Sequence, residues 1–331
     1  MTADTKYMKL ALELAKKGLG NVEPNPMVGC VIVKNGKIIG QGWHKKFGGP
    51  HAEINALKNC KVSAKGATMY VSLEPCCHFG KTPPCVNAII AAGIKKVVAA
   101  VKDPTKKVAG KGFAILKKAG IEVVVGICEK EAKELNAAFF KFAKTGKPYI
   151  IVKWAQSSDG FLSRSDGKRW ITNAASRKDV HKIRRRVGAI LVGVNTVIED
   201  NPMLTARPDR GRQPLRIVLG KASKLPKNCC LLKTAKKWPV YIFNGRNLNN
   251  VLARLGKMNV QQLLVEGGEK IITSFLKHKL ADEIIVYTSN EKLAAAGKTP
   301  TSRIMKAVYN RLKKYGDRKN LNGNAALYWK T

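Results

Sequence analysis

The sequence predicts an α/β protein made of two units in tandem, and three observations carry that prediction. Apolar runs of strand length alternate with stretches of helical periodicity along most of the chain, the pattern of sheets covered by helices. A chain of 331 residues exceeds the usual size of one domain. A polar break, Thr145-Gly-Lys-Pro148, separates a helical pattern from a strand pattern near the middle. The expected units are therefore 1–146 and 147–331.

In the first unit, residues 6–17 place Met8, Leu10, Leu12 and Ala15 among lysines, an amphipathic helix ended by Gly18 and Gly20. Strands are expected over 28–33 and 37–43, joined by Asn35-Gly36, the strongest short hairpin signal. A helix over 51–60, a strand over 68–73 and a helix beginning at Cys85 follow. The pattern continues as strand 95–101, helix 112–119, strand 122–125 and one long helix over 129–144. In the second unit, strands are expected over 149–154, 189–194, 215–219, 240–243, 262–265 and 283–288, with a last strand near 325–329. Helices are expected over 174–186, 249–255 and 269–277.

Composition narrows the function classes. With 45% hydrophobic and 25% charged residues the chain has enough material for packed cores. No apolar run reaches the roughly 18 residues of a membrane span, so no membrane partner is expected. The N-terminal stretch lacks a basic region followed by an apolar core, so no secretory signal is expected either. Eight cysteines in a chain this long do not read as a disulfide framework, and a reducing cytoplasm is the expected compartment. The formal charge of +39 favours anionic partners: phosphorylated metabolites, nucleic acid or an acidic surface. Lysines are spread along nearly every expected element rather than gathered in one patch, which makes nucleic acid the minority reading.

The chemistry concentrates in His51-Ala-Glu53 and Pro75-Cys76-Cys77-His78-Phe-Gly-Lys-Thr-Pro-Pro84-Cys85. One imidazole and two thiolates make three protein ligands for zinc, leaving a fourth position for water, which is the catalytic rather than the structural arrangement. His51, Cys76 and Cys85 are the expected ligands, and Glu53 the expected general acid/base. A helix-start histidine and buried thiols explain each residue alone but not the set. Cys77 is left out because an adjacent cysteine rarely turns toward the same ion. The order matches the zinc nucleobase-deaminase signature, with eight residues between the cysteines instead of two.

Those intervening residues carry a family resemblance. Pro24-Asn25-Pro26, Gly49-Pro50-His51-Ala52-Glu53, Leu73-Glu74-Pro75-Cys76 and Gly80-Lys81-Thr82-Pro83-Pro84-Cys85 resemble the riboflavin-biosynthesis deaminases. The resemblance implies a cytidine-deaminase-like α/β sandwich that removes an amine from a diamino-ribosylamino-pyrimidinone phosphate, with Asn25, His44, His78 and Lys81 facing the substrate. An amide and two imidazoles suit a pyrimidine edge, and Lys81 suits a phosphate. Cys77 stands where the family usually has serine.

In the second half, Val265-Glu266-Gly267-Gly268-Glu269-Lys270 follows a strand and opens a helix, where amides can meet a phosphate. With Arg169-Trp170-Ile-Thr172, Arg184 and the stretch Val192–Arg207 it is similar to the reductase half of the same bifunctional family, whose fold resembles dihydrofolate reductase. The resemblance implies that Ala155, Trp170, Thr196, Asp200 and the run Gly268, Glu269, Lys270, Ile271, Ile272, Thr273 and Ser274 hold NADPH. It implies that Lys168, Arg184, Leu204, Arg207 and Glu266 meet the second substrate, with Arg184 and Arg207 suited to a bidentate grip on its phosphate. Lys168 stands where the family often has serine, Gly220-Lys221 replaces an Asp-Ser pair, and the chain after about residue 289 departs from the family into a tail of net charge +8. The expected cofactors are zinc and NADPH, the expected partner a phosphorylated pyrimidine, with self-association into a homo-oligomer left open. The competing readings are a deaminase acting on RNA bases and a basic RNA-binding protein on a decayed enzyme scaffold.

Overall fold

The computed structural model describes residues 2–244 and 247–331. It forms two compact units, Met1–Gly146 and Lys147–Thr331.

The first unit runs α1 (Ala3–Lys16), β1 (Gly29–Lys34), β2 (Lys37–Trp43), α2 (Ala52–Lys58), β3 (Thr68–Val71), α3 (Cys85–Ala91), β4 (Lys96–Ala99), α4 (Lys111–Lys118), β5 (Glu122–Val125), α5 (Glu129–Leu135) and α6 (Ala137–Thr145). Its sheet has the order β2-β1-β3-β4-β5, antiparallel through β2, β1 and β3 and parallel from β3 to β5. Asn35 and Gly36 turn the β1–β2 hairpin with positive φ values of 50° and 71°. Side chains alternate across β1: Val31 and Val33 pack with Met8, Leu12 and Ala132, whereas Cys30 and Ile32 pack with Ala52, Ala56, Val86 and Leu116. Both faces of the sheet are thus covered, and α2, α3 and α4 share one face. The expected single helix over 129–144 is two helices, broken at Asn136. Asn136 accepts a hydrogen bond from the Met27 N–H at 2.9 Å and donates one to the Met27 carbonyl at 2.8 Å, so its side chain serves the segment beside Asn25.

The second unit runs β6 (Tyr149–Gln156), β7 (Phe161–Arg164), α7 (Ala174–Arg186), β8 (Ala189–Gly193), α8 (Val194–Asp200), β9 (Leu215–Leu219), α9 (Cys230–Lys233), β10 (Val240–Phe243), α10 (Leu248–Lys257), β11 (Gln262–Glu266), α11 (Glu269–Lys277), β12 (Glu283–Thr288), β13 (Gly297–Pro300), α12 (Arg303–Tyr315), β14 (Asp317–Leu321) and β15 (Asn324–Lys330). Its main sheet has the order β10-β9-β8-β11-β6-β12-β15-β14, parallel from β10 to β12, with β15 and β14 added antiparallel. A separate ribbon pairs β13 with β7. The tail that departs from the family pattern is therefore structured. It supplies α12, which buries Met305 and Leu312, and the two strands that close the sheet. Parallel order puts the C-terminal ends of β6, β8, β9 and β11 at one edge, where ligands of such sheets bind.

Candidate active site

The N-termini of α2 and α3 bring the first site together. His51 is the N-cap of α2 and Cys85 the first residue of α3. The Cys85 N–H donates to the Cys76 sulfur at 3.3 Å. His51 Nδ1 lies 3.4 Å from Cys76 Sγ and 3.3 Å from Cys85 Sγ, and one donor atom from each of the three residues falls within 4.8 Å of the others. A borderline-soft cation such as zinc fits this donor set. The two thiols are coupled. A hydrogen bond from Cys85 holds the Cys76 sulfur at about 4, while that same contact and burial push the Cys85 thiol far up. A bound divalent cation would hold both as thiolates. The second nitrogen of His51, Nε2, lies 3.5 Å from Thr82 Oγ1, which orients the ring.

Glu53 sits in the first turn of α2 and is only 3% exposed. Burial first, then the neighbouring Cys76 sulfur, push its carboxyl up to about 7; a cation beside it acts in the opposite direction. His44 is buried next to His51, the rings 5.3 Å apart edge to face. Burial lowers the His44 pKa, so the ring is neutral at pH 7. In the tautomer whose Nδ1–H donates to the Pro50 carbonyl at 3.0 Å, Nε2 accepts from the Asn25 amide at 3.2 Å. His78 and Lys81 are exposed on the loop between the cysteines, and the Lys81 ammonium lies 4.3 Å from the centre of the Phe47 ring. Cys77 points away, its sulfur 3.8 Å from the Lys107 carbonyl.

Glu74 stands in the segment Leu73-Glu74-Pro75-Cys76, where the sequence alone assigns it no role. Its buried carboxylate accepts from the N–H groups of Asp103 (3.1 Å), Gly110 (2.9 Å), Gly112 (3.0 Å) and Phe113 (3.4 Å). It ties the Pro75-Cys76 segment to the start of α4.

The second site lies around the end of β11. Arg184 of α7 grips Glu266 with two parallel bonds, Nε to Oε1 at 2.9 Å and Nη2 to Oε2 at 2.7 Å, and its Nη1 donates to the Thr205 carbonyl at 3.2 Å. These bonds use three of its five N–H donors, so one N–H on each terminal nitrogen, rather than the whole fork, is left for a phosphate. Arg207 is exposed. Burial opposes ionisation of Glu266, but the Arg184 charge, then that of Lys153, hold its carboxyl at about 2. Lys153 was not among the expected residues. It pairs in register with Glu266 across β6 and β11, and its ammonium lies 5.6 Å from the centre of the Tyr287 ring. Burial lowers its pKa. Leu204 is buried with a positive φ of 51°.

The expected cofactor residues are spread over neighbouring elements. Thr196 Oγ1 accepts from the Gly268 N–H at 3.2 Å, which links α8 to the turn before α11. A Cβ on Gly268 would meet nothing closer than that hydroxyl at 3.7 Å, so the glycine leaves open space that a phosphate can occupy. Trp170 is 52% exposed, flanked by the Arg169 and Arg177 guanidinium groups at 4.9 Å each, and is not a core residue. Asp200 ends α8, and its carbonyl accepts from Arg169. Ala155 is half-buried on β6, and Lys168 is exposed. Glu269, Lys270 and Ile271 form the first turn of α11. Ile272 is fully buried in the core, so only its main chain can reach a ligand. The Thr273 hydroxyl bonds Glu269 and Ser302, and Ser274 accepts from His278. The open space at Gly268, before the N-terminus of α11, fits a phosphate group.

The fold and the donor set define a zinc-type nucleobase deaminase followed by an α/β unit with a nucleotide-binding edge. Residues 1–101 match the cytidine and deoxycytidylate deaminase zinc-binding region, and residues 148–314 match the RibD C-terminal domain. The riboflavin biosynthesis protein RibD of Aquifex aeolicus (strain VF5) is 48% identical over 306 residues, covering 86% of each chain. That of Escherichia coli (strain K12) is 39% identical over 326 residues, covering 88% of this chain and 89% of its own. The structure of Acinetobacter baumannii RibD superposes with a TM-score of 0.86 at 37% identity, covering 99% of this chain and 98% of the other. The chain belongs to the RibD family. It is a bifunctional deaminase and reductase of riboflavin biosynthesis, with zinc serving the first activity and NADPH the second.

Proposed function

We propose that the unit 1–146 deaminates a diamino-ribosylamino-pyrimidinone phosphate and that the unit 147–331 reduces the ribosyl group of the product to ribityl. A Thermotoga maritima relative, 34% identical with a TM-score of 0.86, is described as a diaminohydroxyphosphoribosylaminopyrimidine deaminase and 5-amino-6-(5-phosphoribosylamino)uracil reductase. The observation that carries the reading is the convergence of His51, Cys76 and Cys85 with Glu53 buried beside them.

His51, Cys76 and Cys85 hold zinc, which when bound supplies the Lewis acidity that activates water near neutral pH. Glu53 takes a proton from that water and delivers protons to the departing amine. Asn25 uses one amide proton on His44, which leaves its carbonyl oxygen for an amine of the pyrimidine. His78 reads the ring from the loop, and Lys81 meets the phosphate. In the second unit, the amides at the start of α11 and the residues Ala155, Trp170, Thr196 and Asp200 orient NADPH, which supplies the reducing equivalent. Arg207 takes the substrate phosphate, aided by Lys168, while Leu204 and the Arg184–Glu266 pair line the ribosyl end. Alignment of the two reactants is the protein's main contribution to that step. Eight free cysteines support a reducing, cytoplasmic setting.

The test is an assay of the purified chain with the diaminopyrimidinone phosphate. Ammonia is released without NADPH, and NADPH is consumed only after deamination. Absence of ammonia release from zinc-loaded protein refutes the assignment.

A further inference from the structure

Arg216 lies on β9 and is completely buried. Taking a guanidinium out of water is costly, and such groups are normally matched by a carboxylate. Here its neighbours are oxygens of three separate segments. Nη1 donates to the Met203 carbonyl at 3.2 Å and to Thr234 Oγ1 at 2.8 Å; Nη2 donates to the carbonyls of Leu231, at 3.2 Å, and Trp238. Nε has no hydrogen-bond partner.

The Met203 contact belongs to a chain of locks on one stretch. Asn201 Oδ1 accepts from the Cys230 N–H at 2.7 Å, the Thr205 carbonyl accepts from Arg184, and Gln213 bonds both the N–H and the carbonyl of Ala206. Between them Leu204 is held in the left-handed region, a conformation a branched side chain adopts only when its surroundings impose it. We propose that Arg216 is a positioning residue for the reductase, fixing residues 201–206 so that Leu204 and Arg207 meet the substrate. The charge is retained because one rigid fork reaches carbonyls from several segments at once, which no neutral side chain of that length can do. This inference rests on the reading that Leu204 and Arg207 face the substrate.

The test uses the full bifunctional chain, whose deaminase activity reports the amount of chain assayed, while circular dichroism follows the folding of the variants. In Arg216→Lys and Arg216→Met, KM for the phosphorylated reductase substrate rises by about 10- to 100-fold, the range expected for misplaced binding groups. KM for NADPH and the deaminase kcat/KM stay unchanged. An unchanged substrate KM in the folded Arg216→Lys chain overturns the proposal, as does a uniform loss of reductase activity that follows the loss of circular dichroism, the signature of a purely structural arginine. If both variants misfold, Thr234→Val, which removes one acceptor, decides in the same way: a raised substrate KM supports the proposal and an unchanged one overturns it. Arg207→Ala is measured in parallel. If it leaves substrate KM unchanged, the underlying site reading fails; if it raises KM and Arg216→Lys does not, only the present inference fails.

Discussion

Glu53 and Glu266 are both buried carboxylates, and their neighbours push them in opposite directions. Around Glu53 stand two sulfurs and an apolar interior, which suits a group that must both take up and release a proton. Glu53→Gln keeps the shape and removes the base. Deamination is expected to fall by about 10²- to 10⁴-fold, with zinc still bound at about one ion per chain and NADPH-dependent reduction intact; an active variant, in an ammonia-release assay, refutes the role. Glu266 instead faces Arg184 and Lys153, and stays ionised down to about pH 2. Because its folded pKa lies below the ordinary 4.5, the stabilisation from this group is complete above that pH and is lost as pH falls through 4.5 towards about 2. The shift corresponds to roughly 3 kcal/mol. Urea unfolding followed at pH 6 and pH 3 is expected to show a larger loss of stability for the wild type than for Glu266→Gln. The variant is already weaker at pH 6, because it leaves two buried cations without their counter-charge.

At the scale of elements, the zinc ligands depend on a segment outside the ligand set. Glu74 anchors the Cys76 segment to the first turn of α4, and a Cβ built on Gly112 would stand 2.3 Å from the Pro75 carbonyl. Gly112→Ala must therefore displace the residue next to a ligand. Its zinc affinity, read by competition with a chelator, is expected to fall by about 10- to 100-fold, the usual effect of disturbing the support of a metal ligand; unchanged affinity shows that the segment is not held from α4. The ligands themselves were legible because residue type, order and position at element starts all agree. Glu74 was not, since a carboxylate before a Pro-Cys pair carries no periodic signal. Lys153 left a trace, a lone charge inside the apolar run 149–154, but one lysine is inconspicuous in so basic a chain. The buried parallel strands read clearly as apolar runs. The break at Asn136 did not, because it depends on Met27, over a hundred residues away. α8 was missed because Val194-Asn-Thr-Val-Ile is β-branched and reads as strand. α12 is marked by Met305, Val308, Tyr309 and Leu312 at helical spacing, within the stretch that departs from the family pattern.

For the whole molecule the charge of +39 is the feature that neither site explains. No helix among the described residues is long and apolar enough to cross a membrane. The two active sites both handle phosphorylated ligands, and a positive field around the chain draws such anions inward before any contact forms. That effect acts on encounter, not on chemistry. The kcat/KM for the phosphorylated pyrimidine should therefore fall as ionic strength rises from about 0.01 M to about 0.15 M, as the Debye length contracts from roughly 30 Å to 8 Å. kcat should change little, because steering acts before the substrate is bound. The dephosphorylated nucleoside separates steering from a general salt effect: its kcat/KM should respond far less. A steep response shared by both substrates points to salt acting on the protein itself, and a flat response for both leaves the lysine excess without a role in substrate capture.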